Sequence, residues 1–158
     1  MDISIGRLII TEFCETNAEH LKFKRGLLED GLMNYFFPNL HDDNFLTPSV
    51  LEEWPKIRNF YVVKDIDKLI GWIYIGGIER NIVLDGGIHP QYMKQGYFTK
   101  LVTEFSDYLF ENDLVDDIEV AIKNNNTGAL KTIKKANYER LGKIDSYYIY
   151  HTNRELRK

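Results

Sequence analysis

The chain predicts an α/β (α+β) domain, a mixed sheet covered by helices on both sides, and three features of its text carry that prediction. Phe60-Tyr61-Val62-Val63, Leu69-Ile70-Gly71-Trp72-Ile73-Tyr74-Ile75 and Ile82-Val83-Leu84-Asp85-Gly86-Gly87-Ile88 are successive apolar runs. The short turns Asp65-Ile66-Asp67-Lys68 and Glu79-Arg80-Asn81 join them, which makes an antiparallel meander. The period then changes. Phe98, Leu101, Val102, Phe105 and Leu109 recur at helical spacing, one apolar face that runs to about Asn112. Beyond it a short strand, Ile118 to Ile122, a second helix, Asn126 to Ala136, and a closing strand, Tyr147 to Tyr150, complete a layered α/β order.

Ahead of the meander, Arg7 to Phe13 reads as a first strand, and Asn17 offers an N-cap to a helix carrying Leu21, Leu27 and Leu28. From Asp30 to Pro48 the text fixes no element: Phe36-Phe37-Pro38 halts a helix and Asp42-Asp43-Asn44 reads as an exposed loop. Thr47 or Ser49 can cap a short helix through Trp54 to Ile57. With no repeat and no low-complexity segment, residues 1–158 are expected to form one domain.

At 158 residues the chain can bury roughly 70% of the surface its unfolded form exposes. Its 44% hydrophobic and 28% charged residues are those of a soluble globular protein. A net charge of −4 supplies no positive field for phosphate backbones or an anionic membrane, so nucleic acid and membranes are not expected partners. Cys14, the one cysteine, allows neither an internal disulfide nor a cysteine metal cluster, and reads as buried and inert. Met1 to Glu12 has no signal-peptide pattern, and no run approaches the ~20 apolar residues of a membrane helix. A cytoplasmic protein is the expectation.

The chemistry is concentrated in Ile88-His89-Pro90-Gln91-Tyr92-Met93-Lys94-Gln95-Gly96-Tyr97-Phe98-Thr99, between the third meander strand and the long amphipathic helix. A strand that passes through a tight glycine turn into a helix aims unpaired amides and the positive end of the helix dipole outward. Such a turn cradles an anion. A diphosphate suits it, with Lys94 and Lys100 adding charge from the side.

Ile88, His89, Pro90, Tyr92, Gly96, Tyr97 and Thr99 match, by position, the acetyl-CoA loop of the GNAT acetyltransferases, and the text is most similar to the subgroup that acetylates the N-termini of ribosomal proteins. Arg7-Leu8-Ile9-Ile10 resembles that family's opening strand, Leu69-Ile70-Gly71 the start of its central hairpin, and Asn126-Thr127-Gly128-Ala129 its second cofactor helix. Asn137-Tyr138 stands at the family's Gly-Phe pair, and Gly142 matches a glycine beyond it. The resemblance implies a mixed, mostly antiparallel sheet of about six to seven strands with helices on both faces. It implies acetyl-CoA as acyl donor, held by the amides of Met93, Lys94, Gln95, Gly96, Tyr97 and Phe98, with Ile88 along the pantetheine arm and Asn126 touching the cofactor. A primary amine of a protein or small molecule would attack the thioester directly, with an amide of the Gly87-Ile88 strand end facing the oxyanion and no metal required. A homodimer is open to such a chain.

The chain departs from the family pattern at Met93, Lys94 and Phe98 in the loop, at Ile133, where relatives place a proton-donating tyrosine, and at Ala129, where the subgroup has a serine. Asp85 and His89 are the candidate catalytic groups for taking the amine's proton. Asp85 also reads as a solvated turn or bulge residue beside Gly86-Gly87, and His89 as a surface or packing residue. Tyr147, Tyr148 and Tyr150 line an acceptor groove or are simply packed, and Asp113, Asp116 and Asp117 read as a solvated helix end. A catalytically inactive GNAT-fold binding or structural component is the alternative, and a diphosphate sensor that binds CoA without turnover lies between the two.

Overall fold

A computed structural model describes residues 2–14, 16–29 and 60–158. The expected loop at 30–48 and the short helix ending at Ile57 lie outside the described residues. The chain divides into two compact units, Met1–Ile73 and Tyr74–Lys158.

The first unit contains β1 (Asp2–Ile5), β2 (Leu8–Glu12), α1 (Ala18–Glu29), β3 (Phe60–Asp65) and the start of β4 (Lys68–Ile78), its strands ordered β1-β2-β3-β4. β1 and β2 form a hairpin closed at Ile5↔Leu8, and β2 pairs antiparallel with β3 from Leu8↔Asp65 to Glu12↔Tyr61. Leu8, Ile10, Val62, Val63, Ile70 and Trp72 are withdrawn from solvent and form its core. Asn17 caps α1 as expected: its Oδ1 accepts from the amides of Glu19 at 2.9 Å and His20 at 3.1 Å. Cys14 corrects its expectation, since it is exposed, with Sγ 3.1 Å from Thr16 Oγ1. Its amide instead donates to Nδ1 of the buried His20 at 3.0 Å, and burial together with Lys64 pulls the His20 pKa down and keeps the ring neutral.

The second unit holds the rest of β4, then β5 (Asn81–Ile88), α2 (Tyr97–Glu111), β6 (Asp117–Lys123), α3 (Thr127–Lys135), β7 (Glu139–Ile144) and β8 (Tyr147–Asn153), with strand order β4-β5-β6-β8-β7. β5 and β6 are parallel, while β6 with β8 and β7 with β8 are antiparallel. The sheet is thus mixed and mostly antiparallel, as expected, but the described residues supply eight strands rather than six or seven. β1 and β7 are the additions. β7 lies at the end of the strand order and exposes five of its six residues, so no buried face imposes an apolar alternation on Glu139-Arg140-Leu141-Gly142-Lys143-Ile144.

Both helices of this unit end in the same backbone motif. Asp113 takes φ 54° while the Leu114 amide reaches the Leu109 carbonyl at 2.9 Å, and Asn137 takes φ 66° while the Tyr138 amide reaches Ile133 at 3.2 Å. Asn137 therefore occupies the left-handed position where the family places glycine, a conformation asparagine tolerates better than most residues. The closed end of the β4–β5 hairpin is held by Arg80, whose guanidinium donates to the Asp113 carbonyl at 2.7 Å, Asp113 Oδ1 at 2.8 Å and Asp116 Oδ1 at 2.9 Å. The acidic residues at this helix end are thus ion-paired, and Asp117 bonds His151 at 2.8 Å.

Candidate functional site

The site begins where two parallel strands stop pairing. The β5–β6 ladder runs from Asn81↔Asp117 to Val83↔Glu119 and ends there, although β5 continues to Ile88 and β6 to Lys123. Leu84 to Ile88 and Val120 to Lys123 therefore present strand edges that do not bond to each other, which suits an extended chain inserted as an added strand. Ile88, at the end of β5, is buried.

From Ile88 the chain turns through a single 3-10 turn, Pro90–Tyr92, into α2. His89 caps that turn: its Nδ1 accepts from the Gln91 amide at 3.2 Å and its carbonyl from the Tyr92 amide at 2.8 Å. With Nδ1 engaged as an acceptor, the neutral ring carries its proton on Nε2 and presents a donor there, which is the wrong tautomer for a base at that nitrogen. The Met93 amide bonds Pro90 O at 3.2 Å within the turn, so of the amides expected to hold an anion this one is already engaged.

Lys94 and Gly96 both adopt left-handed backbone, with φ 62° and 83°. A Cβ built at Gly96 would meet no atom within 4 Å, so the backbone angle, not crowding, is what asks for glycine in this structure. Lys94 keeps the same left-handed geometry without glycine. The α2 ladder opens with the Lys100 amide on the Gly96 carbonyl at 3.1 Å, so the amides of the first turn stand ahead of that bond, at the positive end of the helix. Gln95 Nε2 lies 3.5 Å from Gln91 O, and Tyr97 and Phe98 are half-buried in the first turn. Phe98 is thus neither wholly in the core nor wholly in the turn. Thr99 Oγ1 meets Thr132 Oγ1 at 3.1 Å and ties the start of α2 to α3. Asn126 is the N-cap of α3, its Oδ1 accepting from the Ala129 amide at 3.2 Å, which leaves its amide nitrogen as the group able to meet a ligand.

Asp85 sits two residues beyond the last β5–β6 pair. Its Oδ1 accepts from the Gly86 amide at 2.8 Å, and withdrawal from water, only partly offset by that bond, pushes its pKa up to about 6. A carboxyl so placed is mostly ionised at neutral pH and close enough to neutrality to exchange a proton. The same region contains a residue the sequence reading left undecided. Tyr147, on β8, has its pKa raised by burial and then by the charge of Asp85, whereas Tyr150 is buried and Tyr148 lies under the Arg140 guanidinium, 3.9 Å from the ring centre.

The chain matches the family description "Acetyltransferase (GNAT) domain" over residues 7–139. It belongs to the GNAT acetyltransferase family. Among solved structures it is similar to a GNAT-family acetyltransferase from Bacillus anthracis, at 18% identity, TM-score 0.75 and coverage of 98% of this chain and 99% of that one. It is also similar to RimL, a ribosomal L7/L12 alpha-N-protein acetyltransferase in complex with coenzyme A, at 12% identity, TM-score 0.72 and coverage of 97% and 98%. A third is the ribosomal-protein-S5-alanine acetyltransferase from Vibrio fischeri, at 13% identity, TM-score 0.66 and coverage of 97% and 96%. No curated protein matches the chain by sequence. No helix among the described residues is long and apolar enough to cross a membrane.

Proposed function

We propose that the chain is an acetyl-CoA-dependent N-acetyltransferase that acts on a primary amine of a protein or small molecule in the cytoplasm. The observation that carries this reading is the junction of β5, freed from β6 after Val83, with a left-handed turn at Gly96 that opens α2. Outward amides from Lys94 to Phe98 would hold the diphosphate, with the edge at Ile88 along the pantetheine arm and the Asn126 side-chain amide as a further donor. Acetyl-CoA, when bound, supplies an acyl group already activated as a thioester.

The chain's own residues then bring and deprotonate the acceptor. An amine arrives mostly as ammonium at neutral pH, with a pKa near ~8 for an α-amine and ~10.4 for a lysine, so its proton must be taken before it can attack. Asp85, its carboxyl pushed up to about 6, would take it, and His89, committed to its turn through Nδ1, would serve as structure. The Ile88 amide at the strand end would face the developing oxyanion. The resemblance to RimL and to the S5-alanine enzyme supports a protein N-terminus as acceptor.

The deciding measurement is thermal unfolding with acetyl-CoA. At about 100 times its dissociation constant, the ligand should stabilise the fold by roughly 2.7 kcal/mol, a rise of about 5 to 10 °C. An unchanged melting temperature at millimolar acetyl-CoA would remove the enzyme reading and leave the binding or structural one.

A further inference from the structure

We propose that Thr132 is a positioning residue for the cofactor: through its bond to Thr99 it holds the first turn of α2 against α3, and so fixes the spacing of the two helix starts that would hold acetyl-CoA. The proposal deepens the acetyltransferase reading and rests on it. Thr99 Oγ1 and Thr132 Oγ1 are 3.1 Å apart. A second pair of hydroxyls, Ser106 and Tyr138, bonds further along both segments. The two ties run in the same sense, so α2 and α3 lie side by side with their N-termini at one end. At 1.5 Å per residue, Thr99 is about 4.5 Å along its axis from Gly96, and Thr132 about 9 Å from Asn126. Of the two ties, the threonine pair is therefore the one next to the turn.

The two hydroxyls have unlike surroundings. Thr132 is buried and Thr99 is exposed. A buried hydroxyl needs a partner, which Thr99 supplies. Thr99 itself has an alternative, because a threonine hydroxyl in a helix can turn back onto the carbonyl three or four residues earlier. Here those carbonyls belong to Gly96 and Gln95, in the turn itself. The Gly96 carbonyl already receives the Lys100 amide at 3.1 Å, and a second donor on it would pull on the left-handed residue that opens the helix. The bond to Thr132 draws the hydroxyl away from that choice.

The starts of the two helices are also restrained differently. Asn126 caps α3 with its own Oδ1, on the Ala129 amide at 3.2 Å. Gly96, the N-cap of α2, has no side chain and makes no such bond. The restraint that α2 lacks from its own cap comes from the neighbouring helix, through Thr132. A ligand that spans both helix starts binds best when their spacing is set beforehand, since otherwise the ordering is charged against its affinity. Thr132 acts in this way through Thr99, and its contribution is preorganisation of the turn.

Calorimetric titration with acetyl-CoA tests this. Thr132→Val keeps the branched shape and deletes the hydroxyl, and it should raise the Kd by about 3- to 10-fold, the worth of one hydrogen bond. Thr99→Val, at an exposed position, should do the same, and the double variant should bind no more weakly than either single one, because both remove the same bond. Thr132→Ser should stay within about twofold of the wild type, since its hydroxyl remains. The KM for acetyl-CoA should follow the Kd, with kcat and the amine KM little changed. Ser106→Ala is the control for a purely structural effect: it deletes a hydroxyl from the tie remote from the turn, and should lower the Tm while leaving the Kd unchanged. Wild-type affinity in both valine variants, or an equal loss in Ser106→Ala, overturns the positioning role and leaves the acetyltransferase reading in place. Absence of binding to the wild-type protein removes that reading, and the positioning role with it.

Discussion

The hydroxyl of Ser106 and the phenol of Tyr138 lie 2.8 Å apart in the core of the second unit, linking the middle of α2 to the third residue past the end of α3. Ser106 is fully buried and Tyr138 nearly so, and burial pushes the phenol up to about 12.

Each hydroxyl is therefore the other's compensation for lost water. Tyr138→Phe should cost about 1 to 3 kcal/mol because Ser106 is left buried without that partner, and Ser106→Ala a similar amount. The double substitution should cost less than the sum, with a coupling of at least about 0.5 kcal/mol in urea unfolding. Strict additivity would mean that the two groups do not depend on one another.

Lys94 holds φ 62° without being glycine. A side chain in the left-handed region costs roughly 1 kcal/mol, and Lys94 is exposed, so Lys94→Gly removes strain without opening a cavity. The glycine gain is partly offset by the freedom it gives the unfolded chain. We expect a net stabilisation of up to about 1 kcal/mol, a rise of about 2 to 4 °C in Tm. A lower Tm in calorimetry would mean that the lysine itself contributes binding energy to the turn.

Gly96→Val should leave a folded protein that no longer responds to acetyl-CoA. Space is not the obstacle at that Cβ, so the cost is that of forcing a β-branched residue to φ 83° or of distorting the turn to avoid it. Calorimetric titration with acetyl-CoA checks this, and unchanged affinity would place the anion site elsewhere.

Asp85 titrates near 6 in the folded chain, against an ordinary value of 3.8. The folded state thus holds this proton more tightly than the unfolded one, so the associated stability is fully present below about pH 4 and disappears as pH rises through 6. Asp85→Asn, which keeps an oxygen acceptor for the Gly86 amide, should be the more stable protein at pH 7 by roughly 2 to 3 kcal/mol, and the gap should close toward pH 4. The rate should show the converse: an acid limb near pH 6 in the wild type, and at least about a 100-fold loss of kcat in the variant with acetyl-CoA affinity little changed. His89→Ala should retain that limb; a variant that loses it while Asp85→Asn keeps it would exchange the two roles.

Much of this architecture was legible in the text because burial imposes a period on it. Leu101, Val102, Phe105 and Leu109 declare α2, and the apolar runs of β3, β4 and β5 declare the meander. β7 was not legible, because an exposed edge strand is held by its backbone bonds to β8 and owes nothing to alternation. The loop could be located from Gly96 and Pro90, but not the left-handed backbone of Lys94, which its side chain disfavours. That the charge of Asp85 reaches Tyr147 lay out of reach for a different reason: the two stand on β5 and β8, which are far apart in the chain.

The short ladder between β5 and β6 makes those strands a pair of tongs. Their jaws are the unpaired segments that begin at Leu84 and Val120, and their pivot is the three-residue pairing next to Arg80, where the Asp116 amide also bonds the Arg80 carbonyl at 2.8 Å. The grip of such an instrument is set at the pivot. Arg80 and its two aspartates, exposed and at the end opposite the jaws, brace that pivot.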